Sequence, residues 1–307
     1  MSSRADRAED TQRALRMHTF QQVDVFCSSP YSGNPVAVVF EADCLSVEAM
    51  QSVARWTNLS ETTFVQSATE SSADYQVRIF TPRAELPFAG HPSIGTGHAV
   101  IESGFVDAHK TKLVQQCGAG LIELKVDGTG EERQIFVAGP KPAIDTLPDK
   151  EQDALSSALD LLSTECEESF IIDVGPRWLT LELASEESVR GCTPNFRVIT
   201  EISTRNNLTG LTIFSLADKK ERYQVCVRSF APAAGIDEDP VCGSGNICVG
   251  THLHHTGRLP LVGQRYVASQ GREMGRDGYA TVLVEQSGEK ISVGGKARTC
   301  LAGSIDI

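Results

Sequence analysis

Two apolar segments that each open on glycine constrain the fold of this chain more than any other feature. AGHPSIGTGHAVIES begins at Ala89, and CGSGNICVGTHLHHT begins at Cys242. Each follows a strand-like run and a turn, and each continues as a helix that is apolar on all sides, which is typical of a buried helix. If Gly90 is aligned with Gly243, both halves show the same order of strands, helix and strands. This order predicts a duplicated fold with a strand-wrapped central helix in each half.

Most of the remaining chain reads as short strands separated by turn residues. The run YQVRIF alternates apolar Tyr75, Val77 and Ile79 with polar residues, as in a half-buried strand. Helices are predicted over 45–57 and 151–162. The predicted strands span 20–26, 35–40, 75–80, 121–126, 134–137, 170–174, 178–183, 211–216, 224–230, 266–269 and 279–284.

Length and linker composition predict two domains in the 307 residues. GPKPAIDTLPDKEQ is the best candidate linker because it is rich in proline and charge. We therefore expect a polar tail over 1–17, an N-terminal domain over 18–145 and a C-terminal domain over 146–307. The last strand is free to return to the N-terminal domain.

Composition excludes several classes of partner. The net charge of -12 disfavours nucleic acid and anionic membranes, and no apolar run is long enough to span a bilayer. The nine cysteines form no CxxC pair, and the N-terminus lacks the apolar centre of a secretory signal. These features predict a cytoplasmic protein with reduced thiols that binds no nucleic acid and no membrane.

The glycine-rich starts of the two apolar helices are candidate anion-binding elements. Helix N-termini present unpaired N–H groups, and glycine lets a ligand approach them closely. Gly90 and His91 would donate from one side, and Gly243, Ser244 and Gly245 from the other, with a substrate carboxylate as the guest. The alternative is that these glycines only permit tight helix packing.

Acidic and thiol side chains flank the second helix start. Asp239 and Cys242 precede it in EDPVCGSG. A thiol at a helix N-terminus is expected to have a lowered pKa and to act as a base, although a small buried space-filling residue is the favoured alternative. The matching position in the first half is Ala89, which excludes a symmetric two-thiol site.

Glu61 lies in NLSETTFV, where the predicted helix over 45–57 gives way to a short strand. Its apolar neighbours Leu59, Phe64 and Val65 are expected to desolvate the carboxylate and raise its pKa towards that of a base. From these residues alone, a strand-capping role is favoured over catalysis.

Other motifs carry less weight. His252 and His255 in HLHH lie on one helical face, but no carboxylate or cysteine converges with them in the sequence, so no metal is expected. His98 is expected to be a core histidine. The short glycine motifs lack the strand-to-helix context of a dinucleotide site, so no cofactor is expected either.

Six motifs in order resemble the phenazine-biosynthesis (PhzF-like) isomerase family: VDVF, GNPVAVVF, NLSETTFV, RIFTPRAELPFAGHPSIGT, EDPVCGSG and SQGREMGR. The resemblance runs from about Phe20 to the C-terminus. It implies an α+β fold of two pseudo-symmetric diaminopimelate epimerase-like domains, each a strand-rich barrel around a central helix. It also implies a homodimer.

The same resemblance implies roles for individual residues. The family's catalytic glutamate falls on Glu61, its GHP motif on Gly90 and His91, and its aspartate and serine on Asp239 and Ser244. The chain departs from the family pattern because Cys242 stands where threonine is usual and Gly245 follows the serine. CGSG is closer to the second thiol motif of the related epimerases and racemases, which leaves open whether Glu61 acts alone.

The resulting hypothesis is a cofactor-independent isomerase that moves a proton between carbons of a small carboxylate-bearing metabolite. Glu61 would transfer the proton, with Asp239 and His91 assisting. The alternatives are an epimerase or racemase that uses Glu61 and Cys242, a carbon–carbon bond hydrolase, and a binding protein without turnover.

Overall fold

The computed structural model describes residues 17–161, 166–217 and 222–307. Apart from Met17, the predicted tail lies outside these residues, as does residue 162 at the end of the second predicted helix. Within the described part, no helix combines the length and apolar character needed to cross a membrane.

Eighteen strands and six α-helices lie within the described ranges. The strands of the first half are β1 Met17–Val25, β2 Asn34–Val39, β3 Thr62–Gln66, β4 Tyr75–Phe80, β5 Glu85–Leu86, β6 Lys112–Cys117, β7 Gly120–Asp127 and β8 Gln134–Ala138. The remaining strands are β9 Ala143–Thr146, β10 Cys166–Asp173, β11 Arg177–Leu183, β12 Gly210–Leu216, β13 Val225–Ala231, β14 Ile236–Asp239, β15 Arg265–Gln270, β16 Gly278–Val284, β17 Ile291–Gly295 and β18 Ala297–Asp306. The helices are α1 Val47–Thr57, α2 Gly90–Glu102, α3 Asp149–Leu159, α4 Glu186–Gly191, α5 Phe196–Arg205 and α6 Gly243–His255.

The two halves repeat one pattern of strand pairing. In the first half β1 is antiparallel to β2, β2 parallel to β3, β3 antiparallel to β4 and β4 parallel to β6. In the second half β10 is antiparallel to β11, β11 parallel to β12, β12 antiparallel to β13 and β13 parallel to β15. Antiparallel β6–β7–β8 and β15–β16–β17 complete the two series. This repeat confirms the predicted duplication.

The halves are joined at matching positions. Strand β8 of the first half pairs antiparallel with β17 of the second, and these two strands occupy equivalent places in the repeat. The final strands are exchanged: β9 follows the first half but pairs with β10, and β18 follows the second half but pairs with β1. The sheet therefore runs continuously through both halves.

One central helix lies inside each half, as the apolar segments predict. Every residue of α2 from His91 to Ile101 is buried, and it packs against β1, β2 and β8. In α6 the buried stretch runs to Leu253, with only Ser244 partly exposed, and the helix packs against β11, β16 and β17. Both helices face strands on several sides, so neither keeps a polar stripe.

Each predicted strand is confirmed to within a few residues, and α1 and α3 lie where helices are predicted. The sequence did not predict the bounds of β5, β6, β9, β14, β17, β18, α4 or α5. The expected linker contains β9 and the start of α3, and the expected boundary at residue 145 falls inside β9. That boundary stays a prediction.

The β8–β17 junction supplies a test of this architecture. A Cβ on Gly294 would lie 2.4 Å from both the carbonyl oxygen of Ile135 and the ring of Phe136. The backbone at Ile135 cannot move aside as the end of a flexible side chain can. We therefore expect Gly294→Ala to lower the free energy of unfolding by about 1–3 kcal/mol. Chemical denaturation measures this loss. Gly303→Ala is the matched control, since open space surrounds that position in β18; equal stability of the two variants would contradict the proposed constraint.

Candidate active site

The N-termini of α2 and α6 meet between the halves. A Cβ on Gly243 would lie 3.7 Å from the backbone nitrogen of His91, so the first turns of the two helices are in contact distance. The first N–H groups of a helix have no intrahelical acceptor, and Pro92 contributes none. The N–H groups of Gly90, His91, Gly243 and Ser244 therefore lie close together.

The end of α1 determines where Glu61 lies. The helix stops at Asn58, which adopts a left-handed conformation with φ 54° and donates its N–H to the carbonyl of Ala54. Three residues later the backbone carbonyl of Glu61 accepts a hydrogen bond of 3.4 Å from Ala37, at the entrance to β3. This turn directs the Glu61 carboxylate towards the start of α2.

Glu61 and His91 form a buried ion pair. His91 Nδ1 lies 3.1 Å from Glu61 Oε2, with side-chain exposures of 7% and 15% respectively. His91 Nε2 is buried and lacks a hydrogen-bond partner among the described residues. Buried polar atoms are rarely left in this condition, so this nitrogen is available to a ligand.

The pKa of Glu61 differs from expectation. Burial acts to raise it, as the apolar neighbours predict, but the hydrogen bond and charge of His91 act in the opposite direction and the net pKa is lowered. For His91, burial acts to lower the pKa, and the carboxylates of Glu61 and Asp239 reverse that effect, so its pKa is raised. The predicted rise for Glu61 is wrong because the sequence did not place His91 beside it.

Asp239 reaches the same cluster from the second half. Burial raises its pKa to about 6, with the charge of His91 opposing and that of Glu61 adding to the rise. Its Oδ1 accepts hydrogen bonds from Asn34 Nδ2 at 2.9 Å and from the backbone N–H of Val241 at 3.1 Å. Asn34 belongs to the first half, so its side chain links the halves at this carboxylate.

Cys242 lies within the cluster as the N-cap of α6. Its Sγ accepts the N–H of Gly245 at 3.3 Å, and it is almost fully buried. Burial, followed by the charge of Asp239, raises its pKa well above the ordinary value. The expectation of a lowered pKa is therefore wrong, because loss of solvation outweighs the helix N-terminus.

Ser244 and Gly245 have different surroundings despite being adjacent. The hydroxyl of Ser244 accepts a 2.9 Å hydrogen bond from the indole N–H of Trp178. A Cβ on Gly245 would lie within 2.8 Å of the hydroxyls of Ser229 and Thr212. Gly245 therefore permits close helix packing, and its N–H is already bound to Cys242.

Three residues of this site were not predicted from the sequence. Asn34 stands in GNPV and Gln270 in SQGR, two motifs that carry only the family resemblance. The Gln270 side chain accepts from Cys242 N at 3.2 Å and donates to the carbonyl of Asp239 at 2.9 Å. Nothing in the sequence indicated a functional role for Trp178, since an aromatic residue at the start of a strand ordinarily packs in the hydrophobic core.

The histidines set aside as metal ligands lie elsewhere. His252 is fully buried and makes edge contacts with the rings of Phe170 and Phe214, and His255 also contacts Phe170. In the described ranges no three histidine, cysteine or acidic side chains are grouped as a metal site. His98 is buried in α2, with Nε2 3.6 Å from the carboxylate of Glu102.

Known proteins are similar to this chain in both sequence and fold. Antisense-enhancing sequence 1 of Schizosaccharomyces pombe is 40% identical over 93% of this chain and 98% of its own length. Trans-2,3-dihydro-3-hydroxyanthranilate isomerase of Pseudomonas fluorescens is 33% identical over 94% of this chain and 99% of its own.

Solved structures agree with the two-half architecture. A PhzF-family protein of Bacillus anthracis superposes with a TM-score of 0.83 at 23% identity, covering 95% of this chain and 99% of that one. A hydroxyproline epimerase of Agrobacterium vitis, at 14% identity, gives 0.63 over 96% and 94%. The fold is thus the predicted pair of epimerase-like domains. Residues 23–303 match the model of the phenazine biosynthesis-like proteins, PhzC-PhzF, and the chain belongs to this family.

Proposed function

We propose that this protein is a cofactor-independent isomerase that moves a proton between two carbons of a small carboxylate-bearing metabolite. One observation carries the proposal: Glu61 and His91 from one half and Asp239 from the other converge, largely shielded from solvent, where two helix N-termini meet. Perturbed titratable groups beside converging N–H donors are typical of sites for proton transfer.

Glu61 is the proposed base. Its lowered pKa keeps the carboxylate ionised, and therefore able to accept a proton, at neutral pH. It would take a proton from a carbon made acidic by an adjacent carboxylate or carbonyl, and return that proton to another carbon of the same molecule. The transfer balances without an oxidant, a reductant or water.

Backbone donors are proposed to stabilise the negative charge that develops on the substrate. N–H groups of Gly90, Gly243 and Ser244 point from helix N-termini and need no reorganisation during the reaction. Closure of the two halves around the substrate would exclude water. Gly245 is left out of this set because its N–H is bound to Cys242.

Asp239 and His91 are proposed to hold a polar group of the substrate. With a pKa of about 6, Asp239 can change protonation state near neutral pH, and its charge is coupled to that of His91. The named activity of the P. fluorescens relative makes trans-2,3-dihydro-3-hydroxyanthranilate the first substrate to test. The homodimer and the cytoplasmic location stay predictions.

Glu61→Gln tests the proposed base. The amide keeps the shape of the side chain but cannot accept the proton, so kcat for trans-2,3-dihydro-3-hydroxyanthranilate should fall by about 10²–10⁴. Absorbance assays measure turnover, and NMR in D₂O follows isotope exchange at the substrate carbons. Glu187→Gln, at an exposed glutamate on α4, is the matched control and should retain full activity.

The products decide between this mechanism and its competitors. Relocation of a hydrogen without inversion supports isomerisation by Glu61. Inversion at a single labelled carbon would instead indicate an epimerase that uses Glu61 and Cys242, and an ¹⁸O atom from water in the product would indicate a carbon–carbon bond hydrolase. Full turnover by Glu61→Gln would overturn the proposed base.

Asp239→Asn should make the protein more stable at high pH. Because the folded-state pKa of about 6 lies above the ordinary value of 3.8, ionising Asp239 costs folding free energy. The cost is absent below pH 3.8, grows as the pH rises to about 6 and is complete above that. A shift of this size corresponds to about 3 kcal/mol.

We therefore expect the asparagine variant to exceed the wild type by about 1–3 kcal/mol in unfolding free energy at pH 8, with the difference vanishing near pH 4. Urea titrations at several pH values measure both curves. Asp237→Asn, at an exposed position two residues away, should show no such pH-dependent gain. A gain that is equally large at pH 4 would rule out ionisation of Asp239 as its cause.

A further inference from the structure

We propose that Trp178 is a positioning residue that fixes the hydroxyl of Ser244 as a hydrogen-bond donor, so that this side of the candidate site selects a ligand acceptor such as a carboxylate oxygen. The inference rests on the proposed function for the location of the ligand. The inference adds Trp178 to the residues that determine which end of a substrate lies beside Ser244.

Trp178 is held rigidly at the start of β11. The residue is 3% exposed, and its ring lies against Gly210 of the neighbouring strand β12. A Cβ at Gly210 would be 2.9 Å from the indole Cζ3 and 2.0 Å from the carbonyl oxygen of Phe230, so glycine is required there to admit the ring. The indole N–H consequently points at one fixed place, the Ser244 hydroxyl.

The chemistry of the two groups fixes the direction of the hydrogen bond. An indole nitrogen can only donate, whereas a hydroxyl has one hydrogen and can also accept. At 2.9 Å, Ser244 Oγ must therefore accept from Trp178 Nε1. Its own hydrogen is left for another acceptor.

Within the described residues, Cys242 is the neighbour that competes for this hydrogen. Its Sγ lies 3.6 Å from Ser244 Oγ and already accepts the N–H of Gly245. Sulfur is a weak acceptor, and a carboxylate oxygen forms a shorter, charge-assisted hydrogen bond. A ligand carboxylate would therefore displace the thiol as the partner of Ser244.

The site thus contains separate hydrogen-bond donors and acceptors. At the start of α6, the Ser244 hydroxyl adds a side-chain donor to the N–H groups of the helix N-terminus. The carboxylates of the site, Glu61 and Asp239, are acceptors when ionised. A substrate carrying both an acceptor and a donor would thus bind in one orientation.

NMR of the ligand-free protein tests the hydrogen bond itself. The chain has two tryptophans, and Trp56 is 82% exposed. Trp56→Phe therefore assigns the two indole signals of a ¹⁵N-labelled sample. Ser244→Ala should shift the Trp178 indole proton upfield and speed its exchange with water, leaving the Trp56 signal unchanged. An unmoved Trp178 signal in Ser244→Ala would overturn the proposal.

Calorimetry with anthranilate, which has a carboxylate, and aniline, which lacks one, tests the selection. Loss of one oriented hydrogen bond to a charged group should weaken anthranilate binding about 10-fold in Trp178→Phe, and similarly in Ser244→Ala. Aniline has no carboxylate to accept a hydrogen bond from Ser244, so its dissociation constant should change by less than about 2-fold in either variant. Trp56→Phe should bind anthranilate as the wild type does.

The double variant separates positioning from packing. If Trp178 acts through Ser244, Trp178→Phe combined with Ser244→Ala should bind anthranilate no more weakly than Ser244→Ala alone. Additive losses, equal losses for aniline, or a wild type that does not bind anthranilate would overturn the proposal. These outcomes are independent of turnover, so failure of the isomerase assay alone would count against the proposed function and not against Trp178.

Discussion

The antiparallel ladder between β8 and β17 is the interaction on which the rest of the structure depends. Each half encloses its own apolar helix, and the pairing of these equivalent strands joins the two halves so that the helix N-termini lie together. The ladder is close-packed at Gly294, where a side chain would meet backbone. Because Glu61 and Asp239 belong to different halves, the distance between their carboxylates depends on the strand pairing that joins the halves.

The pKa values of Glu61, His91 and Asp239 depend on one another as well as on burial. The Glu61 carboxylate and the His91 ring stabilise each other's charged forms, whereas burial raises the pKa of Asp239, with the charge of His91 opposing that rise and the charge of Glu61 adding to it. Two carboxylates facing one imidazolium resist full ionisation. A protein of net charge -12 can then receive an anionic ligand through backbone dipoles.

Much of the architecture was predictable because its signals are local. Apolar helices and alternating strands are visible in short windows, and the matching of Gly90 with Gly243 revealed the duplication. The bounds of the last strand, β18, were not predicted because most of its residues are exposed and it lacks apolar alternation. The direction of the Glu61 pKa shift and the contacts of Asn34 and Trp178 were missed for another reason: each depends on residues far apart in sequence.

The exchange of the final strands has a consequence for how the chain folds during synthesis. The first half contains β1 early, but β18, which pairs along the whole of β1, is made after every other described strand. One edge of β1 must therefore stay unpaired until β18 has left the ribosome. Such long-range pairing slows folding and leaves a strand edge open to other chains. A chaperone that shields this edge would protect the nascent protein at its most vulnerable stage.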